Sequence, residues 1–475
     1  MISKKKIGLN LLAVALGTSL AVAGPTQSAK EMQIQKMIED NGIFVETSQK
    51  GITLSGYVDV SYNYNFNGGV ADRSSDSFRY LFNNKKVFAP SPSIGGRQFD
   101  VDSNDFSINQ VKLALEKALP EENTWAAGFR IDLMFGEDAK YISGNDDVID
   151  LSGSVSLQQA YVNFRIPVGN GLDVKFGRFV TLLGYEVIET PSNINVTRSF
   201  NFTWAIPLHH TGILFTYPLN DLVELSLGLV NGWNNEDSNF LDGSDFSKAI
   251  TGQVKVKNPG GNAVTAVSFI YSPEGEYAIN NAPITNDIVP SFNENSNTFV
   301  VNWWGEWIPK FANDRLLLAF ELNFGIVEDN YGYEFRGEKV DKGFGENTDI
   351  WYGAALYAKY QVNDVFSLAS RFEYFKDLDG SARLADAYTP GSVDFRKYGV
   401  NREGAMYHTN VDIFSWTLTA GFDIWENMLL RAEYRVDLLS SNGGHDLSSG
   451  YDSSHLFGSR SSTQHSLILN ASYSF

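Results

Sequence analysis

Residues 51–66 read GITLSGYVDVSYNYNF. Ile52, Leu54, Val58, Val60, Tyr62, Tyr64 and Phe66 fall on one side of an extended chain. Thr53, Ser55, Asp59, Ser61, Asn63 and Asn65 fall on the other. Successive side chains of a strand point to opposite faces, so the stretch predicts a strand with one apolar and one polar face. The far end of the chain repeats it: Leu467, Leu469, Ala471, Tyr473 and Phe475 alternate with Ser466, Asn470, Ser472 and Ser474. Between these ends the same period runs through 315–328, 350–361, 365–376, 414–424 and 428–438. It runs less cleanly through 107–118, 124–135, 156–168, 172–179, 208–219, 222–233, 248–257, 263–271 and 298–308. The total is about sixteen strands, by period-two reading.

The connections alternate in length. Tight turns at 120–123, 169–171, 220–221, 258–262, 309–314, 363–364 and 426–427 carry the Gly, Pro, Asn and Asp that such turns need. Long polar connections lie near 67–103, 136–154, 181–205, 234–247, 273–294, 329–347, 378–411 and 440–463. A soluble β-sandwich also has alternating strands. It would not keep this long–short rhythm throughout. Nor would it set Leu316, Leu318, Phe320, Leu322, Phe324 and Ile326 along one face of one strand. The expected fold is all-β: a transmembrane, antiparallel, up-and-down β-barrel with short periplasmic turns and long outer loops.

Composition agrees. Aromatics make up 13% of the chain, yet the mean hydropathy is −0.19, as when one strand face meets lipid and the other water. Lys4, Lys5 and Lys6, the apolar run 7–20 and Ala21-Val22-Ala23 read as a cleaved signal peptide over 1–23. The run is too short for a spanning helix, and no later stretch approaches the ~20 apolar residues one needs. A membrane location therefore requires a barrel. Residues 24–50, with Met32, Ile34, Met37 and Ile38 in weak helical spacing, read as a periplasmic lead-in, and a coiled-coil segment is the sharper alternative. The barrel occupies 51–475, and the protein is expected in the outer membrane of a Gram-negative bacterium, among its lipids.

The net charge of −19 argues against a nucleic-acid partner. Cysteine is absent, and six His show no convincing Ser/His/Asp set, so neither cofactor nor catalysis is expected. His209 and His210 are adjacent on a strand and point to opposite faces, which argues against a shared metal. Gly144-Asn145-Asp146-Asp147 lacks the spacing of a calcium loop.

The polar faces carry charges of both signs. Candidate pore-wall residues are Arg130, Asp132, Arg165, Lys175, Glu321, Arg371, Glu373, Arg431, Glu433 and Arg435, with Asp59, Lys112, Glu116, Asp173, Glu224 and Asp437 on the same faces. Lys or Arg at mid-depth against lipid costs roughly 2–4 kcal/mol, so these charges face water or each other. A barrel of this size leaves an aqueous channel. Arg431, Glu433, Arg435 and Asp437 form either a salt-bridge ladder or an ion-guiding stripe. Trp303, Trp304, Trp307, Trp351, Tyr352, Trp416, Trp425, Tyr473 and Phe475 are candidates for interfacial girdles, although one of the adjacent pair Trp303 and Trp304 must face inward.

Residues 177–219 read GRFVTLLGYEVIETPSNINVTRSFNFTWAIPLHHTGILFTYPL. Gly177-Arg178-Phe179, Thr181, Gly184-Tyr185-Glu186, Asn193, Thr197-Arg198-Ser199, Pro207 and His210-Thr211-Gly212 resemble the signature of the beta-barrel porin-2 (OmpL-like) family. The resemblance implies an outer-membrane porin and supplies no solute. From the residues themselves, 181–205 has too many aromatics to stay outside and reads as a constriction loop folded into the lumen. Tyr185, Glu186, Asn193, Arg198 and His210 are its candidate residues. Glu186 and Arg198 either set a transverse field or form one salt bridge that pins the loop. The expectation is passive diffusion of small hydrophilic solutes or ions. A non-conducting barrel acting as adhesin or receptor is the alternative, and a barrel-borne hydrolase is a third. Trimers enter only by analogy with other sixteen-stranded porins.

Overall fold

A computed structural model describes residues 51–66, 80–82, 85–87, 97, 99–100, 104–142, 155–233, 248–273, 288–292, 297–328, 331–335, 338–340, 348–378, 411–440 and 463–475. The expected signal peptide over 1–23, the expected lead-in over 24–50 and residues 144–147 lie outside them. Sixteen strands close into one antiparallel barrel, each hydrogen-bonded to its chain neighbours and the last to the first. They are β1 Thr53–Asn65, β2 Asp105–Lys117, β3 Ala126–Phe135, β4 Val155–Ile166, β5 Leu172–Val180, β6 His209–Pro218, β7 Val223–Val230 and β8 Ala249–Lys257. There follow β9 Ala263–Pro273, β10 Asn297–Trp307, β11 Leu316–Glu328, β12 Thr348–Gln361, β13 Phe366–Asp377, β14 Val411–Trp425, β15 Met428–Ser440 and β16 Thr463–Ser474. The count and the long–short rhythm match the sequence reading. Short strands Ile288–Phe292, Tyr331–Phe335 and Glu338–Val340 form a small sheet within the long connections. Among the described residues no helix is long and apolar enough to cross a membrane.

The seam pairs β1 with β16 from Tyr57↔Ser474 to Asn65↔Ser466. Asp59 marks it on the inside. Its carboxylate accepts from Asn470 Nδ2 (2.9 Å), Ser472 Oγ (2.5 Å) and Asn109 Nδ2 (2.9 Å). This ties β1 to both of its neighbours through one buried acid. The terminal Phe475 backbone exchanges hydrogen bonds with Gly56 at 2.9 and 3.0 Å.

The outward face is apolar and open: Phe176, Leu227, Leu356, Phe372 and Leu469 are all exposed. Rings concentrate at its two edges. Trp125, Trp307, Phe311, Trp425 and Tyr473 lie near the short turns, and Tyr64, Phe66, Phe106, Tyr271 and Phe414 near the long loops. Such belts suit the two membrane–water interfaces. Trp351 departs from the girdle expectation. It is fully buried inside the barrel, and its Nε1 donates to the Ala205 carbonyl at 3.2 Å. Trp304 is likewise buried, while its neighbour Trp303 is exposed. Register on the lipid side is reinforced where Gly305 lies under the Phe320 ring. A Cβ at Gly305 would come within 2.7 Å of that ring, so any larger residue there would have to push it aside.

Candidate functional site

Residues 181–208 leave the top of β5 and return at β6, and none of them is exposed. Two properties of the sequence hold the segment inside. The first is apolar. Leu182, Leu183, Ile188, Phe200, Phe202, Trp204, Ile206 and Leu208 cluster with lumen-facing Met134, Leu214, Val230, Ile270, Trp351, Phe375 and Ile413. A connection this rich in large apolar side chains gains by removing them from water. The second is polar: outside the short turns at Thr190–Ser192 and Asn201–Ala205, much of the loop backbone lacks a backbone partner and is met by wall side chains.

Toward β8–β11, Gln253 Nε2 and Ser268 Oγ donate to the Leu182 carbonyl at 2.7 and 3.0 Å. Gly184 N donates to Asn302 Oδ1 (3.0 Å) and Tyr185 N to Glu321 Oε2 (3.3 Å). The Tyr185 ring lies 4.8 Å from that of Tyr357 and 6.1 Å from that of Trp304, clustered with Ala266, Ala319 and Ala355. Three alanines on the wall make the room that this ring occupies. Its hydroxyl donates to Glu306 Oε2 at 2.8 Å.

Toward β13–β15, Glu186 Oε1 meets Arg371 Nη1 at 2.6 Å, and Oε2 accepts from both Ser199 N and Oγ at 2.7 Å. Arg371 also donates to the Thr197 carbonyl (2.5 Å), and Arg435 to the Arg198 carbonyl (2.6 Å). Glu433 accepts from Val196 N (2.5 Å), Thr197 N (2.9 Å), Thr197 Oγ1 (2.6 Å) and Thr419 Oγ1 (2.7 Å). Glu373 accepts from Phe200 N at 2.7 Å, and Arg431 donates to the Asn193 and Thr190 carbonyls at 3.1 Å. Toward β2 and β4, Gln110 Nε2 donates to the Ile188 carbonyl (2.8 Å), and Glu189 pairs with Lys112 and accepts from Gln158 Nε2 (2.9 Å). Burial works to raise the Glu189 carboxyl, but Lys112 and Gln158 outweigh it and hold it below the ordinary carboxylate range. The loop therefore spans the lumen from β2 to β11 and β15.

The described sequence decides the family. The model of the family described as "Putative beta-barrel porin-2, OmpL-like" matches residues 51–475. The chain belongs to that family. It is an outer-membrane porin of the beta-barrel porin-2 type, a channel protein. No curated protein matches it. Among solved structures the porin is similar to the outer membrane channel DcaP of Acinetobacter baumannii, at 12% identity and TM-score 0.51 over 91% of this chain and all of that one. It also matches OprB of Pseudomonas putida (13% identity, TM-score 0.49, 93% of this chain and 96% of that) and Salmonella typhi OmpF (11%, 0.49, 92% and 100%). At these identities the likeness to DcaP is one of fold.

Within this porin the residues nominated from the sequence fall into four groups. Tyr185, Glu186 and Asn193 lie in the loop, and Asn193 closes it on itself by exchanging hydrogen bonds with Val187 at 2.7 and 2.9 Å. His210 stands at the loop's root, with Nδ1 3.1 Å from the Gly232 carbonyl and Nε2 3.2 Å from Thr181 Oγ1. Glu321, Arg371, Glu373, Arg431, Glu433 and Arg435 are all buried and touch the loop or its neighbours. Arg130, Asp132, Arg165 and Lys175 lie apart, on the wall of β3–β5. Arg130 pairs with Glu116 (2.6 Å) and Asp132 (2.8 Å), Arg165 with Asp173 (2.7 Å), and Lys175 sits 4.5 Å above the Tyr161 ring.

Two expectations change. Glu186 and Arg198 do not pair. Glu186 takes Arg371, whereas Arg198 lies 3.8 Å from Asp138 and 5.1 Å from the Phe99 ring. Arg371 stands on β13 and Asp138 in the turn after β3, on different parts of the wall. The 431–437 stripe is only partly a ladder. Arg435 pairs with Asp437 (2.8 Å) and Glu373 (3.2 Å), but Arg431 and Glu433 turn their charges onto the loop backbone. The histidines 209 and 210 are both buried, and His209 Nε2 lies 2.9 Å from Arg178 Nη2. Sequence reading missed Gln110, Asn302 and Glu306 as wall partners of the loop. Inward placement by period two was the available signal for all three.

Proposed function

We propose that this porin passes small hydrophilic solutes or ions by passive diffusion and that residues 181–208 form its constriction. The observation carrying this reading is that a single loop is braced from both sides of the lumen by side chains at mid-strand positions. Such bracing holds the narrowest cross-section at a fixed size. Arg130, Arg165 and Lys175 line the approach on the β3–β5 wall, and Glu186, Arg198 and Tyr185 act at the loop itself by fixing its position. Residues 1–23 direct export and are removed, and 24–50 lead into the barrel from the periplasm. Association into trimers belongs to this proposal, as does contact with outer-membrane lipids.

Reconstitution into planar bilayers tests it. Discrete conductance steps are expected from the wild type, with larger steps when 187–200 are replaced by a short linker. Steps of unchanged size after shortening would remove the loop from the role. A second reading, a non-conducting barrel that presents its outer loops to a partner, draws on one fact: no residue of 181–208 is exposed. It expects silence from the wild type across salts and voltages.

A further inference from the structure

Near the outer end of the loop four buried polar atoms without a hydrogen bond lie on residues that line one small cavity. They are Asn63 Oδ1 on β1, Asp138 Oδ1 just after β3, and Thr190 Oγ1 and Arg198 Nε in the loop. The four residues are 3%, 1%, 1% and 5% exposed. The cavity measures about 10 Å³, the size at which a single water molecule fits. Buried polar atoms as a rule have partners, so four without one around a common space point to a ligand in it.

The chemistry of the lining selects that ligand. Asp100 and Asp138 carry carboxylates, which disfavour an anion. Arg198 carries its guanidinium to the same space and stands 3.8 Å from Asp138, which disfavours a cation. A neutral molecule with two donors and two acceptors matches the set. It can donate to Asn63 Oδ1 and Asp138 Oδ1, and accept from Arg198 Nε–H and the Thr190 hydroxyl. We propose that this cavity is a binding site for one resident water molecule. The water joins three pieces of chain that do not otherwise meet through these atoms: the wall at β1, the turn after β3, and the loop. Gly136, at φ 109° where a Cβ would strike the Asn109 carbonyl at 2.6 Å, turns the chain after β3 toward the lumen and so brings Asp138 to the site.

A high-resolution crystal structure of the refolded mature porin tests the site, together with a crystal soaked in thallium(I). The expected result is one peak within hydrogen-bond distance of at least three of the four atoms, and no anomalous signal there. A thallium peak would make the site a cation site and overturn the proposal. So would a cavity with no density, or one closed by the side chains themselves. Asn63→Leu is expected to expel the water and raise open-channel current noise several-fold. Thr190→Val, which leaves three ligands and keeps the side-chain shape, is expected to retain it. Should Asn63→Leu fail to fold, the wild-type density alone decides.

Discussion

Glu186 shows what a single side chain does in this lumen. Its two oxygens are divided between Arg371 on the wall and the Ser199 amide and hydroxyl within the loop. Removing one member of a buried pair leaves the other charged and unmatched, which typically costs about 3–5 kcal/mol. Glu186→Gln is expected to fall near the low end, because Glu373 stands 3.5 Å from Arg371 and supplies a second carboxylate. Denaturant unfolding of the refolded porin measures it, and Glu186→Gln with Arg371→Met should cost less than the two single changes added together. Tyr185→Phe keeps the ring in its alanine-lined socket and loses only the bond to Glu306. A loss of about 1.5–3 kcal/mol is expected by the same measurement, since the acceptor is a carboxylate. The partner of Glu186 was not legible in the sequence. Period two places Glu321, Arg371, Glu373, Arg431 and Glu433 on the inner face, but every inward Arg is then an equal candidate. The choice of Arg371, 185 residues away, is made by barrel closure and by where the loop crosses.

At the scale of the element, the strands were legible because a barrel wall forces alternation on every one of them. The loop was legible in outline for a related reason: Phe200, Phe202, Trp204 and Ile206 are too apolar for an outer connection. Its fastenings were not, because most are backbone groups, and a backbone amide leaves no trace in a sequence. The turn after β3 is a case in point. Burial pushes the Asp138 carboxyl up to about 7, with Asp59 and Asp100 adding to the rise and Arg198 and Gln110 opposing it. A raised carboxyl means the folded state holds the proton more tightly than the unfolded one. Stability from this residue is therefore complete below about pH 4 and is lost as pH rises toward 7. Asp138→Asn should match the wild type near pH 4 and exceed it in thermal midpoint near pH 7. A difference that is flat with pH would refute that assignment. On the lipid side, Gly305→Val should hinder assembly by displacing the Phe320 ring, seen as a smaller heat-modifiable fraction on gels after refolding.

At the scale of the whole molecule, charges of both signs crowd a lumen that the fold would otherwise leave open. Their arrangement divides the barrel in two. On β13–β15 and β2 they hold the loop, and on β3–β5 they pair along the wall. If the first group fixes the bore and the second lines the approach, neutralising the half-buried Lys175 should shift reversal potential with little change in unfolding. Neutralising Arg435 should do the reverse, and measuring both quantities on both variants separates the two regions.

The bracing of 181–208 also has a consequence for the order of assembly. The loop lies between β5 and β6, yet its deepest grips come from Glu433 and Arg435 near the end of the chain and from Gln110 near its beginning. Bonds of such sequence separation are slow to form, because the intervening chain must be ordered first. A growing barrel that has not yet received β15 lacks the groups that hold Val196, Thr197 and the Arg198 carbonyl. Phe200, which lies 4.8 Å from the Arg435 guanidinium, then lacks that neighbour until the last strands arrive. The loop is thus a built-in report of completion: its full set of bonds exists only once β15 is in place.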